Sequence, residues 1–286
     1  MFKSVAAAVL GLSLSLGLCA KTADAAEQAN ELPAEIKQLH WIEKGQGEIA
    51  GKASIKIPDG YAFLNQADTS KLLQAFGNPP SSDHFLIAPK SLDWFAVFSF
   101  EETGYVKDDE KIDAAELLKS MQAGDEAGNK ERKKLGLEAL YTEGWQVQPH
   151  YDESTRRLEW GLRLRDESGQ RNVNYTSRIL GRTGVMSATL VSDTDALNKN
   201  TDEFKKVLTG FNYNNGLAYS EFKNGDKLAG IGLGALVLGG AAAVATKKGL
   251  WGVIGGFLAA GWKFIAAAFV ALFAGIGKFF KRNKNA

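Results

Sequence analysis

The sequence predicts an α+β fold, a mainly antiparallel sheet with packed helices, followed by C-terminal transmembrane helices. Three observations carry this expectation. Between Trp145 and Val191, four strand-like segments are separated by short turn sequences, the pattern of an antiparallel meander. Helical stretches opened by capping residues lie before and after them. From Leu228 to Thr246, nineteen residues carry no charge, and at about 1.5 Å per residue such a helix crosses a hydrocarbon core about 30 Å thick.

The chain opens with Lys3, an apolar run at Val5–Leu18 and the small-x-small triplet Ala23-Asp24-Ala25, which together read as a secretory signal over residues 1–25. Its removal takes away Cys19, the one cysteine. Disulfides, a thiol nucleophile and cysteine metal ligands are then excluded.

After a polar lead-in at Glu27–Leu39, the residues Ile49, Gly51, Ala53, Ile55 and Ile57 recur at period two and predict one strand. It ends at the Pro58-Asp59-Gly60 turn, and Tyr61–Leu64 resumes. A helix is predicted over Thr69–Phe76, capped by Asp68 and stopped by Gly77-Asn78-Pro79-Pro80. Trp94–Phe100 is apolar almost throughout, as in a strand covered on both faces, and is the predicted centre of the sheet. Asp113 and Glu116 have capping-box spacing at the start of a helix over Ala114–Gln122; a second helical stretch, Asp125–Leu140, is weakened by Gly128 and Gly136.

The meander follows: Trp145–Tyr151, then Leu158, Trp160, Leu162 and Leu164 alternating with polar residues, then Val173–Leu180 and Val185–Val191. Asp193 or Thr194 caps a last helix reaching Thr209, and Phe211–Tyr213 adds an edge strand before the Asn214-Asn215-Gly216 turn.

Cut at these joints, the chain separates by charge. Residues 26–223 carry 24 Lys+Arg against 31 Asp+Glu, whereas 224–286 carry 8 against 1. An acidic body on a basic anchor argues against nucleic acid as a partner. It suits an extracytoplasmic α+β domain over 26–223 and a membrane anchor over 224–286, placed in the inner (cytoplasmic) membrane with the main domain on the periplasmic or extracellular side.

Only seven of the nineteen span residues are strongly apolar, while five are Gly and six are Ala. Gly230 and Gly234 stand four apart, as do Ala235 and Gly239, leaving a smooth stripe for a close helix partner. The second apolar helix, 249–280, offers a similar face through Gly252, Gly256 and Lys263. Lys263 near mid-depth would cost roughly 2.5–3.5 kcal/mol unless it faced a partner helix or snorkelled. Packing favours a helical hairpin; the lysines at both ends of the second helix favour an interfacial or re-entrant one. The expected partners are the lipid bilayer and, through the small-residue faces, another membrane protein or a second copy.

IPDGYAFL (57–64), FGNPP (76–80), GYVKDDEK (104–111), NYTSRILGRTGVM (174–186) and GDKLAGIGLGALVLGGAAAVATKKGL (225–250) together resemble a family of exported, membrane-anchored bacterial proteins. Their shared region is the domain of unknown function numbered 2167. The likeness covers roughly residues 41–280, implies the membrane-anchored topology and supplies no catalytic residues. The order of elements also looks like the photosystem-II extrinsic PsbP subunit, which likewise begins with a Pro-x-Gly-aromatic strand; this analogy concerns the fold and implies no activity.

Two clusters are the candidate sites. Asp108, Asp109 and Glu110, within Lys107–Lys111, form the densest acidic run. Carboxylates in a loop bind calcium or act as acid and base, but they also favour a helix start, and EF-hand spacing is missing. Residues 156–182 hold seven arginines and no lysine. A patch across Arg163, Arg165 and Arg178, with Arg182, suits an anionic ligand, lipid headgroups or the acidic loop; its ordinary alternative is a sheet face paired with the domain's own carboxylates.

His40, His84 and His150 show no metal-ligand spacing, and Gly45-x-Gly47-x-x-x-Gly51 precedes a strand rather than a helix, so neither a metal nor a cofactor is expected. The expected role is a non-enzymatic envelope module for interaction or sensing. The competing expectation is a membrane-tethered hydrolase using the acidic loop with His84 or His150.

Overall fold

The computed structural model describes residues 36, 38–75, 83–134, 136, 138–169 and 171–239. The stretches expected to be a signal sequence, a helix stop at Gly77–Pro80 and a second apolar helix over 249–280, with Gly252, Gly256 and Lys263, lie outside them. The chain divides into two compact units, Met1–Leu39 and His40–Ala286; the fold below is that of the second.

The period-two run after Gly45 folds back on itself. β1 (Gln46–Ile49) and β2 (Ala53–Lys56) pair antiparallel with Ile49 opposite Ala53. Ala50 and Gly51 reverse the chain at φ 54° and 63°, and the Lys52 N–H closes the turn on the Ile49 carbonyl at 2.9 Å. Directly opposed residues share a face, so Ile49, Ala53 and Ile55 still bury together although the single predicted strand is broken. β10 (Phe211–Tyr213) adds to β2, making a small sheet ordered β1-β2-β10.

The main sheet has seven strands, every neighbour antiparallel: β3 (Tyr61–Leu64), β4 (Phe85–Pro89), β5 (Phe95–Glu101), β9 (Val185–Ser192), β8 (Arg171–Leu180), β7 (Arg157–Asp166) and β6 (Leu140–Asp152), in that spatial order. The meander has its four strands in the predicted order, with β6 beginning at Leu140 rather than at Trp145. The centre is not the predicted one: every residue of β9 is buried, whereas β5 becomes half-exposed from Ser99 onward. Ser187, Thr189 and Ser192 hid β9 from an apolar count, although small hydroxyls bury well once bonded.

α1 (Gln66–Ala75) starts earlier than predicted, because Asn65 rather than Asp68 is its cap. Asn65 Oδ1 accepts the Asp68 N–H at 3.0 Å, while the buried Asp68 carboxylate receives Lys71 Nζ at 2.7 Å and meets His40. α2 (Ala114–Lys134) is one continuous helix, opened by Asp113 Oδ1 accepting the Ala115 and Glu116 N–H groups at 3.0 Å each. Its interior glycines are overridden by tertiary bonds. Asn129 donates to the Leu140 carbonyl and accepts the Leu140 N–H, both at 2.8 Å; Asp125 accepts the Thr142 N–H at 2.7 Å; Gln122 donates to the Thr142 carbonyl at 3.2 Å. Spaced three and four apart, these side chains share one helix face and meet the backbone groups that edge strand β6 would otherwise leave unpaired. α3 (Leu197–Leu208) buries Phe204, Val207 and Leu208; Ala196 precedes it without a side-chain cap, and Thr194 instead donates to the Arg171 carbonyl.

The sheet is covered on both faces. On the first, Phe63, Ile87, Phe98, Val173, Tyr175 and Ala188 pack beneath the small sheet and α3. On the second, Leu158, Trp160, Leu162, Leu164 and Val185 pack beneath Leu117 and Met121 of α2 and a segment that the sequence assigned to the membrane.

That segment is the main correction. Residues 224–232 are not helical: the Tyr105 N–H bonds the Lys227 carbonyl and the Ala229 N–H bonds the Tyr105 carbonyl, both at 2.8 Å, with Leu228 bridged in parallel to Tyr105. Among the described residues of this segment, Leu233–Leu238 forms a helix, α4, and Gly239 closes it at φ 123°. Leu233, Leu236, Val237 and Leu238 are buried in the second core. The apolar side chains are therefore solvated by protein, and no helix among the described residues is long and apolar enough to cross a membrane. Gly230, Gly234 and Gly239 do not form a helix-packing stripe. A Cβ at Gly230 would meet open space, Gly234 bonds Glu110, and Gly239 ends the helix. The folded domain thus continues past the predicted joint at 223/224 to at least Gly239.

Candidate functional site

The acidic loop leaves β5 through Gly104, whose positive φ of 92° and close approach to the Lys227 carbonyl leave no room for a side chain. Asp108 then accepts hydrogen bonds from the Tyr151 hydroxyl at 2.8 Å and from Arg156 Nη1 at 2.6 Å. Glu110 Oε2 accepts the Gly234 N–H at 3.1 Å. Between these bonds the Tyr105 ring stacks on Tyr219 and leans on Phe222, with centroids 4.4 and 4.3 Å away, and the Arg156 guanidinium lies 5.2 Å over the Tyr219 ring. The loop is a clasp that holds residues 219–234 against the second face.

Its electrostatics suit holding rather than proton transfer. Burial alone would raise the Asp108 carboxyl, but hydrogen bonds from Tyr151 and Tyr219 and the Arg156 charge outweigh it and keep the group below the usual aspartate range. Burial, reinforced by that carboxylate, pushes the Tyr151 and Tyr219 hydroxyls far above their ordinary range. The result near neutral pH is a fixed carboxylate, a fixed guanidinium and neutral phenols.

Strand parity divides the predicted arginine patch. Arg178 stands opposite Leu158, on the second face, where its side chain is 6% exposed and pairs with Glu101. Arg163 stands opposite Val173, on the first face, and Arg165 lies two residues along the same strand. Arg165 Nε approaches Glu143 at 3.3 Å, with its guanidinium 5.0 Å over the Tyr141 ring. Arg163 donates to Gln146 at 3.5 Å. Directly opposite Arg165 is Arg171, which bonds Glu143 through Nε at 2.8 Å. Arg182 belongs to the clasp: it grips Asp226 with Nε and Nη2 at 2.6 and 2.7 Å, and the pairing lowers the Asp226 carboxyl to about 2.

A third cluster escaped the sequence. Glu159, 7% exposed at its side chain, accepts from Tyr175 at 2.7 Å and Ser177 at 3.2 Å and pairs with Lys205 Nζ at 3.0 Å, with His150 Nε2 3.8 Å away. In the alternating strand, Glu159 read as an outward polar residue; the position of α3 that covers it is a tertiary fact. His150 therefore sits on the opposite face from Asp108, since its neighbour Tyr151 is the residue that reaches the loop. His40 pairs with Asp68 at 3.2 Å. Among the described residues no three His, Cys, Asp or Glu side chains are grouped to hold a metal.

A family model described as "Protein of unknown function (DUF2167)" matches residues 42–273. The chain belongs to the DUF2167 family. The DUF2167 match continues through the docked segment and beyond Gly239, so these residues are part of the family's own unit. No curated protein matches this DUF2167 chain. Among solved structures, it is similar to cyanobacterial PsbP (CyanoP) from Synechocystis sp. PCC 6803, at 11% identity over 60% of this chain and 94% of that chain, with a TM-score of 0.36. So loose a likeness bears on nothing functional.

Proposed function

We propose that this DUF2167 chain is an inner-membrane envelope protein whose α+β domain lies on the periplasmic or extracellular side and serves as a non-enzymatic module for interaction or sensing. One observation carries the reading: Glu110 and Arg182 hold residues 216–234 to the domain directly, and Asp108 fixes Arg156, whose guanidinium lies over the Tyr219 ring. The acidic loop works as a fastening, and His150, one of the two histidines that the hydrolase reading could use, is directed away from it.

Anchorage rests on the sequence outside the described residues. With Leu228–Gly239 folded into the domain, the first arm of the hairpin is gone. The stretch 249–280 remains, with Lys263 and Lys278 its charges; as one helix it would measure about 48 Å, enough to cross or to lie in a bilayer. The acidic domain and the lysine-rich C-terminus support a domain-out orientation.

Alkaline carbonate extraction of envelopes tests this. The full chain should stay with the membranes, and a chain ended after Gly239 should be released in folded form. Release of the full chain would overturn the reading.

A further inference from the structure

We infer that Arg163, Arg165 and Arg171 form a binding site for a phosphoryl group carried by a ligand of this domain. The inference deepens the interaction role proposed above, and rests on it for the premise that the domain binds rather than turns over its ligand.

The three arginines come together at one end of β7 and β8. Arg165 and Arg171 are cross-strand partners, and Arg163 is two residues from Arg165 on the same face. Such positions are about 5 Å apart across the strands and about 7 Å apart along one. Glu143 is the carboxylate that pairs with two of them, and it meets both Arg165 and Arg171 through Nε. The fork formed by the terminal nitrogens is the part of a guanidinium that grips an oxyanion in two places, and the Nε contact leaves Arg171's fork for another partner. Arg163 has a neutral partner, Gln146, at the limit of hydrogen-bond length.

Three guanidinia around one carboxylate leave an excess of positive charge on a body that is acidic as a whole. Stability does not require this concentration. Arg165 and Arg171 are 37% and 60% exposed, and ion pairs so exposed contribute about 0–1 kcal/mol. The arrangement is also partly set in advance: Tyr141 supports the plane of Arg165, and Glu143 orients two of the three side chains. One carboxylate ligand would satisfy one fork. A phosphoryl group presents three oxygens to three guanidinia, which is the better match.

Arg163 lies six residues along β7 from Arg157, about 20 Å from the end of the strand where the clasp sits. The phosphoryl group can belong to a soluble compound or to a lipid headgroup, and the experiment separates the two.

The full chain in phosphatidylcholine nanodiscs is titrated calorimetrically with inorganic pyrophosphate. Saturable binding is expected, weakened about tenfold by Arg163→Gln or Arg171→Gln and strengthened several-fold by Glu143→Gln, which removes the competing anion. Lys130→Gln, at an exposed position on α2, should bind as the unaltered chain does. Phosphatidylglycerol in the discs should compete with pyrophosphate if a headgroup is the source, and should leave the titration unchanged if a soluble compound is.

No saturable binding up to about 10 mM probe, a range that covers even weak sites, would overturn the proposal. So would arginine variants that bind normally. If the arginine variants fail to fold, Glu143→Gln still decides: arginines that serve only structure gain no anion affinity when their carboxylate is neutralised. Failure here leaves membrane retention in carbonate unaffected, so the two readings fail separately.

Discussion

Glu110 Oε2 accepts the backbone N–H of Gly234 across 3.1 Å, tying the loop after β5 to the first turn of α4. The same carboxylate excludes a side chain at Gly232, where a Cβ would come within 1.9 Å of Oε2. Gly232 has ordinary extended backbone, with φ −107° and ψ −169°, so the glycine is required by contact rather than by conformation.

Gly232→Ala should therefore displace Glu110 and cost about 1 kcal/mol, the net worth of the lost hydrogen bond. In denaturant unfolding, Gly232→Ala combined with Glu110→Ala should be less damaging than the sum of the two single changes. Strict additivity would show that the two positions do not meet.

Asp108 gives the clasp a pH dependence of definite sign. Its carboxyl is held below the ordinary value of 3.8, so its stabilising contribution is present above that value and is lost as pH falls through the lower folded-state value. The stability difference between the unaltered chain and Asp108→Asn should be largest near neutrality and shrink below about pH 4. A difference that stays constant down to pH 2 would contradict the assignment.

Two acidic residues, each paired with arginine, should respond very differently to neutralisation. Glu101→Gln leaves the buried Arg178 charge without its partner and should cost about 3 kcal/mol. Glu143→Gln, among exposed arginines, should change stability by less than about 1 kcal/mol. Thermal unfolding of both variants checks the contrast.

Ending the chain after Phe222 removes Leu233, Leu236, Val237 and Leu238 from above Leu158 and Trp160. That product should lose cooperative unfolding and near-ultraviolet dichroism, whereas a chain ended after Gly239 should keep both. Equal behaviour of the two would return the domain boundary to 223/224.

The meander was legible because alternation at Leu158, Trp160, Leu162 and Leu164 reflects one buried face, a local property of the strand. Strand pairing was not. Arg178 falls on the opposite face from Arg163 because of the β7–β8 register, and Arg171 joins Arg165 by that same register from beyond a turn. The continuity of α2 depends on bonds to Leu140 and Thr142, which the glycines in its own sequence do not reveal. Leu233, Leu236 and Val237 show the deepest limit. Hydropathy says that a side chain avoids water, and does not say whether lipid or protein replaces it.

The side chains of Gln122, Asp125 and Asn129 have a consequence for behaviour at high concentration. Over Leu140–Thr142 they occupy the bonding positions that an incoming strand from another molecule would need. Along those three residues the edge is closed to strand addition from a crowded copy, and a partner that meets β6 there must be recognised through side chains rather than through borrowed backbone.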